Sequence, residues 1–568
     1  MKSVFLRPQS DFSSKADYEP QKTRVCTTDL KEIIRHPEVT PESEGVSSLY
    51  IRDFLNDLQK LSCDLHHFLM LRHGKVIAEA SFSPYLKETW HSQHGIAKSI
   101  TNLAVGMLVD EGKLSPGTKL TEIFGSRISF LNSLKLKNIS VYDLLTMSSG
   151  STFNESGIHS GNDWLSMFFD APLHFEPGCR FEYDSMNSYV LSAAVTALKG
   201  IPMDDYLKPR LFEPLGIRNY IWEKCPRGIT KGGWGLTMYP EDVAKIGQLY
   251  MKKGVYGDKR IISDAWMEKS LEKRFEFEDS PGYGYGCQVI VGAKPGDIMF
   301  SGMMLQECFV FSQNDIVIVI NAGGDDNKEE SLNDLVSSYF GDVYNPPAFL
   351  VDNPSSKKKL DDLLSSFSKR AVKVTRKRGG WKKKSSQYPA DLSFEKMSAC
   401  IHGLSYVLDT KGCSFMPHFL QYMQNNRTSG LSEISFEKDK KGLVIHMKEE
   451  DRTNDLLVAH DKDRYSVMSF KGEQYIVSGI AQFAKDEDND LCLKAEASFI
   501  EGECRRYVRI FFKNDFENIK IEFTETPASD MFLPRPQTGG MTDAADILTG
   551  SRKDLYEKIG ENILWARP

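Results

Sequence analysis

Long apolar runs are missing from this 568-residue chain. No stretch reaches the roughly 18 uninterrupted apolar residues of a membrane-spanning helix. The first residues, MKSVFLRPQSDFSSKADYEPQ, lack the apolar core of a secretory leader, so a cytoplasmic location and no membrane partner are expected. An excess of one charge sign is absent too. A net charge of -7 over this length gives no global attraction to nucleic acid or to an anionic membrane, and no nucleic-acid partner is expected. The ten cysteines (26, 63, 179, 225, 287, 308, 400, 413, 492 and 504) form no C-x-x-C pair, and no close histidines complete a plausible zinc site. That spacing argues for buried free thiols and against a zinc site. The pair His66–His67 sits in an apolar, strand-like run, HHFLMLRHGKVIAEASF, which reads as a hairpin turning at His73-Gly74. No internal repeat is visible.

What is present divides into segments, because the length exceeds one ordinary core. Residues 1–40 have little periodicity and read as an arm. Residues 41–346 mix helices and strands. SLYIRDFLNDLQKL has helical apolar spacing, and IAKSITNLAVGMLVDEGKL reads as an amphipathic helix stopped at Gly112. CFVFSQNDIVIVINA gives two strands around a Gln-Asn-Asp turn. Residues 347–387 are rich in Lys and Arg and read as a solvated basic linker. Residues 388–527 show short alternating strands with polar turns, the pattern of an antiparallel barrel or sandwich. The tail, 528–568, is polar and ends in an expected short helix.

The stretch HSQHGIAKSITNLAVGMLVDEGKLS poses the chemical question. Gly95 and Lys98 are spaced i, i+3, so they share a helix face. A serine three residues before a buried lysine is an activatable nucleophile, because burial lowers the lysine pKa and makes it a base. Here glycine stands at that place. Ser92 and Ser99 do not substitute for it: one lies a turn earlier, the other points about 100° away from the lysine face.

Five blocks occur in order: HSQHGIAKSITNLAVGMLVDEGKLSPGTKL, ISVYDLLTMSSG, HFEPGCRFEYDSMNSYVLSAAVTALKG, LFEPLGIRNYIWEKCPRGITKGGWGLTMYPEDVAKIG and SPGYGYGCQV. Together they resemble the serine β-lactamase-like, penicillin-binding-protein-like hydrolases, nearest to the subgroup whose second motif is Tyr-x-Ser. The resemblance covers residues 45 to 345. It implies an α+β fold, a five-stranded antiparallel sheet flanked by helices with a helical part across a cleft. It also implies acyl-enzyme chemistry on a small amide, ester or peptide, without metal or cofactor. Lys98 and Tyr183 take the roles of base and proton shuttle, and Ser185 is secondary. The third motif falls on Phe300-Ser301-Gly302, with phenylalanine where a cation often stands. The glycines that usually follow are replaced in Met303-Met304-Leu305-Gln306. The resemblance places the oxyanion hole at the backbone N–H groups of Gly95 and Met303, with Phe300, Ser301, Gly302 and Gln306 along the binding edge. The C-terminal β-rich segment is similar to lipocalin-like domains appended to some family members.

Three explanations of Gly95 stay open: natural loss leaving a ligand- or partner-binding pseudoenzyme, an introduced Ser-to-Gly change in an active hydrolase, or direct attack by a water held at Lys98 and Tyr183. Glycine in a helix costs about 0.5–1 kcal/mol relative to alanine, so core packing alone does not select it.

Overall fold

The computed structural model describes residues 17–25, 39–324, 327–341, 343–370, 393–408, 413–486, 490–527 and 563–567. Most of the arm, residues 371–387 of the linker and residues 528–562 of the tail lie outside them. The chain forms two compact units, one running to Ser368 and one holding Lys22–Val25 and the chain from Lys369 onward.

The first unit is built on an eight-stranded antiparallel sheet. Its strands are β1 (Asp64–Arg72), β2 (Lys75–Ser81), β3 (Phe275–Glu276), β4 (Gly284–Tyr285), β5 (Ile290–Val291), β6 (Ile298–Gly302), β7 (Gln306–Phe311) and β8 (Ile316–Gly323). Their spatial order is β2-β1-β8-β7-β6-β5-β4-β3. Five strands are long and three are two-residue extensions, so the expected five-stranded sheet is present and enlarged. The β1–β2 hairpin turns at His73 and Gly74, both with positive φ (50° and 77°), which suits the right-handed twist of the flanking strands. His66 and His67 lie in β1, and His66 Nδ1 is 2.9 Å from His91 Nε2.

β1 and β8 are buried along nearly their whole length, because helices cover both sheet faces. On one face pack α1 (Ser48–Lys60) and two helices described below. α1 buries Ile51, Phe54, Leu55 and Leu58, spaced i, i+3, i+4, i+7. On the other side lies α2 (Ala97–Asp110), which is buried on every side from Ala97 to Leu108 rather than amphipathic as its sequence suggests. It is enclosed partly by α3 (Ser185–Lys199) and by α4 (Pro240–Met251), which packs on the sheet. Helix α5 (Asn327–Phe340) brings Leu332, Val336 and Phe340 into the same core as α1.

Part of the stretch read as a basic linker is structured. Pro354–Phe367 form helix α6, and Leu360 and Phe367 enter the core of the first unit. Its lysines stay on the outer side, where Lys357 and Lys358 pair with Asp361 and Asp362 one turn on. A basic composition and an apolar stripe coexist because a helix separates them onto different faces.

The second unit is a ten-stranded antiparallel sheet. Its strands are β9 (Ser405–Leu408), β10 (Leu431–Lys438), β11 (Leu443–Glu449), β12 (Arg452–Val458), β13 (Arg464–Phe470), β14 (Glu473–Lys485), β15 (Leu491–Phe499), β16 (Arg505–Lys513), β17 (Asn518–Thr526) and β18 (Ile563–Arg567). Their order is β12-β11-β10-β9-β18-β17-β16-β15-β14-β13. The two edge strands face each other: Asn454 Nδ2 donates to the Ser469 carbonyl at 3.0 Å and Asn454 Oδ1 accepts from Ser469 N–H at 2.8 Å. This side-chain bridge ties the two sheet edges together. The chain end expected as a helix is strand β18, inserted between β9 and β17. From the stretch read as an arm, Lys22 joins this unit, with Nζ 2.7 Å from Glu501.

Candidate functional site

The site is assembled around the start of α2. A short 3-10 turn, His94–Ile96, feeds directly into the helix, so Gly95 and Lys98 lie one turn apart. Lys98 is almost fully buried, and its Nζ donates to the Gly233 carbonyl at 2.9 Å. The next turn makes a parallel contact, Thr101 Oγ1 to the Gly232 carbonyl at 2.7 Å. The GGWG loop thus supplies acceptors for α2. Gly233 reaches that place because it has no side chain: a Cβ would fall 2.8 Å from the Ser185 carbonyl oxygen.

Tyr183 precedes the N-cap of α3, and its ring centroid lies 4.7 Å from Lys98 Nζ. Its hydroxyl stands 3.1 Å from the point where a Cβ on Gly95 would be. The structure therefore brings Gly95, Lys98 and Tyr183 together. Asp184 caps α3 by accepting from Met186 N–H at 2.8 Å, and Ser185, the first residue of that helix, donates its own N–H to Glu155 at 2.9 Å.

Electrostatics at the site follow from burial. Desolvation drives the Lys98 pKa down to about 8, against the opposing attraction of Glu155 and Asp184. Burial, reinforced by Glu155, Glu329 and Glu307, pushes the Tyr183 phenol up, so it stays protonated. Asp184 is raised well above the usual carboxylate range by burial and then by Glu155.

The strand β6 defines the opposite wall. The Ser301 carbonyl oxygen lies 2.4 Å from the point a Gly95 Cβ would occupy, and Gly302 Cα lies 3.3 Å from it. No real Cβ tolerates the first separation, so the backbone of β6 occupies space that a side chain at residue 95 needs. Ser301 Oγ points to the other sheet face, 2.9 Å from Glu307 Oε1 and 3.2 Å from Glu329 Oε1. Phe300, placed by the resemblance on the binding edge, is instead buried edge-to-face against Tyr250 at 5.0 Å. Strand alternation sends it into the core. Gln306 is also committed elsewhere. Its Nε2 donates to the carbonyls of Met304 (3.0 Å) and Ala322 (2.7 Å), and its Oε1 accepts from Asn321 at 2.9 Å. Those bonds hold the β6–β7 turn, in which Met304 and Leu305 take positive φ (64° and 69°) without being glycine. Such residues cost on the order of 1–3 kcal/mol each and persist only where surroundings hold them. Met303 is partly exposed at the turn's start.

Of the neighbouring hydroxyls, Ser99 donates to the Gln288 carbonyl at 3.1 Å, away from the lysine. Sequence reasoning did not single out Glu155, Glu307, Glu329 or Gly233. One signal was available: Glu307 is a carboxylate in the otherwise apolar run CFVF's strand, QECFVF.

Residues 67–337 match the model of the family described as Beta-lactamase. That stretch is a β-lactamase-family domain, on an α+β fold of antiparallel sheet and helices. Among curated relatives, the 6-aminohexanoate-dimer hydrolase of Paenarthrobacter ureafaciens is 24% identical over 224 residues, 36% of this chain and 56% of that protein. The chain thus spans little more than half of that relative's length. Among solved structures, a penicillin binding protein from Bacillus halodurans aligns with 17% identity, covering 50% of this chain and 99% of its own (TM-score 0.41). An octameric penicillin-binding protein homologue from Pyrococcus abyssi aligns with 16% identity over 83% of this chain and 97% of its own (TM-score 0.40). No helix among the described residues is long and apolar enough to cross a membrane.

Proposed function

We propose that this chain is a β-lactamase-family scaffold that binds a small amide, ester or peptide at the Gly95 site without forming an acyl-enzyme there. The observation that carries this reading is the Ser301 carbonyl, 2.4 Å from where the first side-chain atom of residue 95 would stand, with Lys98 and Tyr183 still converged beside it. A serine mutated away in an otherwise unchanged site would leave a vacancy; here the strand fills it. The relative named for hydrolysing the 6-aminohexanoate dimer supports an amide as the ligand class. The oxyanion role of the Gly95 and Met303 N–H groups belongs to this proposal, as do the lipocalin-like character of the ten-stranded unit and a cytoplasmic location.

The test is a fluorophosphonate probe applied to the chain and to Gly95→Ser. Neither form is expected to label, because the serine cannot be placed without moving β6. Stoichiometric labelling of Gly95→Ser would overturn the reading and restore a hydrolase lacking only its nucleophile. One observation favours a second reading, slow hydrolysis by an activated water: a lysine with a pKa of about 8 holds a useful fraction of free amine near neutrality. Ester turnover by the unmodified chain that disappears in Lys98→Ala would establish it.

A further inference from the structure

One residue near the start of the chain is held in the second unit more deeply than its neighbours. Of the described residues 17–25, Lys22 alone is buried, while Thr23 and Arg24 beside it are exposed. These residues form no helix or strand, so no regular element carries the lysine inward. A lysine is seldom buried unless it is paired, and here the ammonium is met on three sides. Nζ donates to Glu501 Oε2 at 2.7 Å and to the Gln474 carbonyl, and it stands 4.4 Å from the centre of the Tyr475 ring. An ammonium has three donors, so a carboxylate, a carbonyl and a π face use it fully.

The backbone of Lys22 is held as well. Its N–H donates to Glu473 Oε2 at 2.8 Å, and its carbonyl accepts from Gln474 N–H at 2.8 Å. Contacts to both backbone groups of one residue suit an extended segment, whose N–H and C=O are not taken up by its own turns.

The walls of this pocket belong to the ten-stranded sheet. Glu473 opens β14 directly after the Lys471–Gly472 turn, where both residues have positive φ (45° and 89°). Glu501 lies between β15 and β16, and its Oε2 also accepts from Ile476 N–H at 2.9 Å. Register brings the two turns together, since the start of β14 pairs with the end of β15 at Val477 and Phe499. The Tyr475 ring packs on Phe470 at 6.1 Å and Phe499 at 5.6 Å, and its hydroxyl donates to Gln424. A pocket set by its own strands is preorganised and keeps its form when the lysine leaves.

From this we infer that the second unit carries a recognition pocket for a lysine within an extended peptide, and that the chain's own Lys22 is its resident occupant. A lysine-bearing segment supplied in trans competes for the same contacts. The resident segment enters with one anchored side chain, so its release breaks few bonds and exposes little apolar surface. Selectivity follows from the shape of the pocket. A compact ammonium matches one carboxylate oxygen, one carbonyl and a ring, whereas the guanidinium fork of arginine calls for a planar pair of acceptors. The inference is independent of the Gly95 site.

The experiment is fluorescence anisotropy with a labelled peptide of residues 18–25, YEPQKTRV, titrated with the full chain and with full-length Lys22→Ala. Lys22→Ala vacates the pocket and should bind the peptide at least about tenfold tighter than the unmodified chain, whose tethered lysine competes at high effective concentration. The peptide carrying Lys22→Met should bind Lys22→Ala at least about tenfold more weakly, and the peptide carrying Lys22→Arg at least about threefold more weakly. Adding Glu501→Gln to the protein should bring the lysine and methionine peptides to within about threefold of each other. Equal binding of the lysine peptide and either substituted peptide to Lys22→Ala, or no binding at all, overturns the inference. So does binding to the unmodified chain as tight as to Lys22→Ala, and so does a folded Glu501→Gln protein that keeps the full preference. Should Lys22→Ala fail to fold, Lys22→Gln takes its place. Should the Glu501→Gln protein fail to fold, the comparison of lysine and methionine peptides decides.

Discussion

Two buried cations, one in each unit, are treated in opposite ways. Arg506, in β16, is fully buried, pairs with Glu525 and donates to the Ser414 carbonyl at 2.8 Å. Burial pushes Glu525 up, but His418 and Arg506 more than reverse this and hold it low. Lys98 is as deeply buried, yet its hydrogen bond goes to a neutral carbonyl, and among the described residues it has no carboxylate at ion-pair distance. A buried charge with a close counter-ion is a structural element. One kept without such a partner costs stability, and such a cost is tolerated where the group has work to do.

The largest effect expected from this contrast is in the second unit. Arg506→Met should destabilise it by about 3–5 kcal/mol in denaturant unfolding, since Glu525 is left buried with only the His418 ring beside it. Lys98→Met should do the reverse. The lysine's folded pKa of about 8 lies below its unfolded value of 10.5, so the unfolded chain holds more protons between those values. The cost is therefore fully present below about pH 8 and disappears as pH rises through 10.5. Lys98→Met is expected to raise stability at neutral pH by about 1–3 kcal/mol, with the gain shrinking in melts repeated at pH 10. A loss of stability at both pH values would remove the contrast.

Gly95→Ala sharpens the same comparison at the strand. Its Cβ meets the Ser301 carbonyl, so a destabilisation of about 1–2 kcal/mol is expected despite the gain in helix propensity. Gly125→Ala, where nothing lies within 4 Å, is the control and should change stability by less than about 1 kcal/mol. The smallest effect concerns Asp184. Asp184→Asn keeps an acceptor for Met186 N–H and replaces a carboxyl that burial already disfavours as an anion, so thermal melts should show it neutral or mildly stabilising. Asp184→Ala loses the cap and should cost about 1 kcal/mol.

Much of the frame was legible because it rests on local spacing. The β1–β2 hairpin is marked by apolar strands around His73-Gly74, and the Gly95–Lys98 relation by i, i+3 geometry. Tyr183 could be placed only through the order of the blocks around it. Helix α6 was legible in principle, since Leu360, Leu363, Leu364 and Phe367 repeat at helical spacing, but its lysines dominated the composition. Strand β18 was not, because a short apolar end becomes a strand only if two other strands leave an opening for it.

The residue types along the chain settle that a lysine and a glycine share one face of a buried helix and that no hydroxyl stands between them. They also settle the antiparallel strands that follow, since alternation and turn residues act over a few positions. What closes over the glycine, which carbonyl holds the lysine and which strand and helix bring Glu307 and Glu329 toward the phenol depend on segments more than a hundred residues apart. Only packing in three dimensions brings the Ser301 backbone within 2.4 Å of the side-chain position at residue 95, because that separation is set by how a strand and a helix meet and not by either one alone.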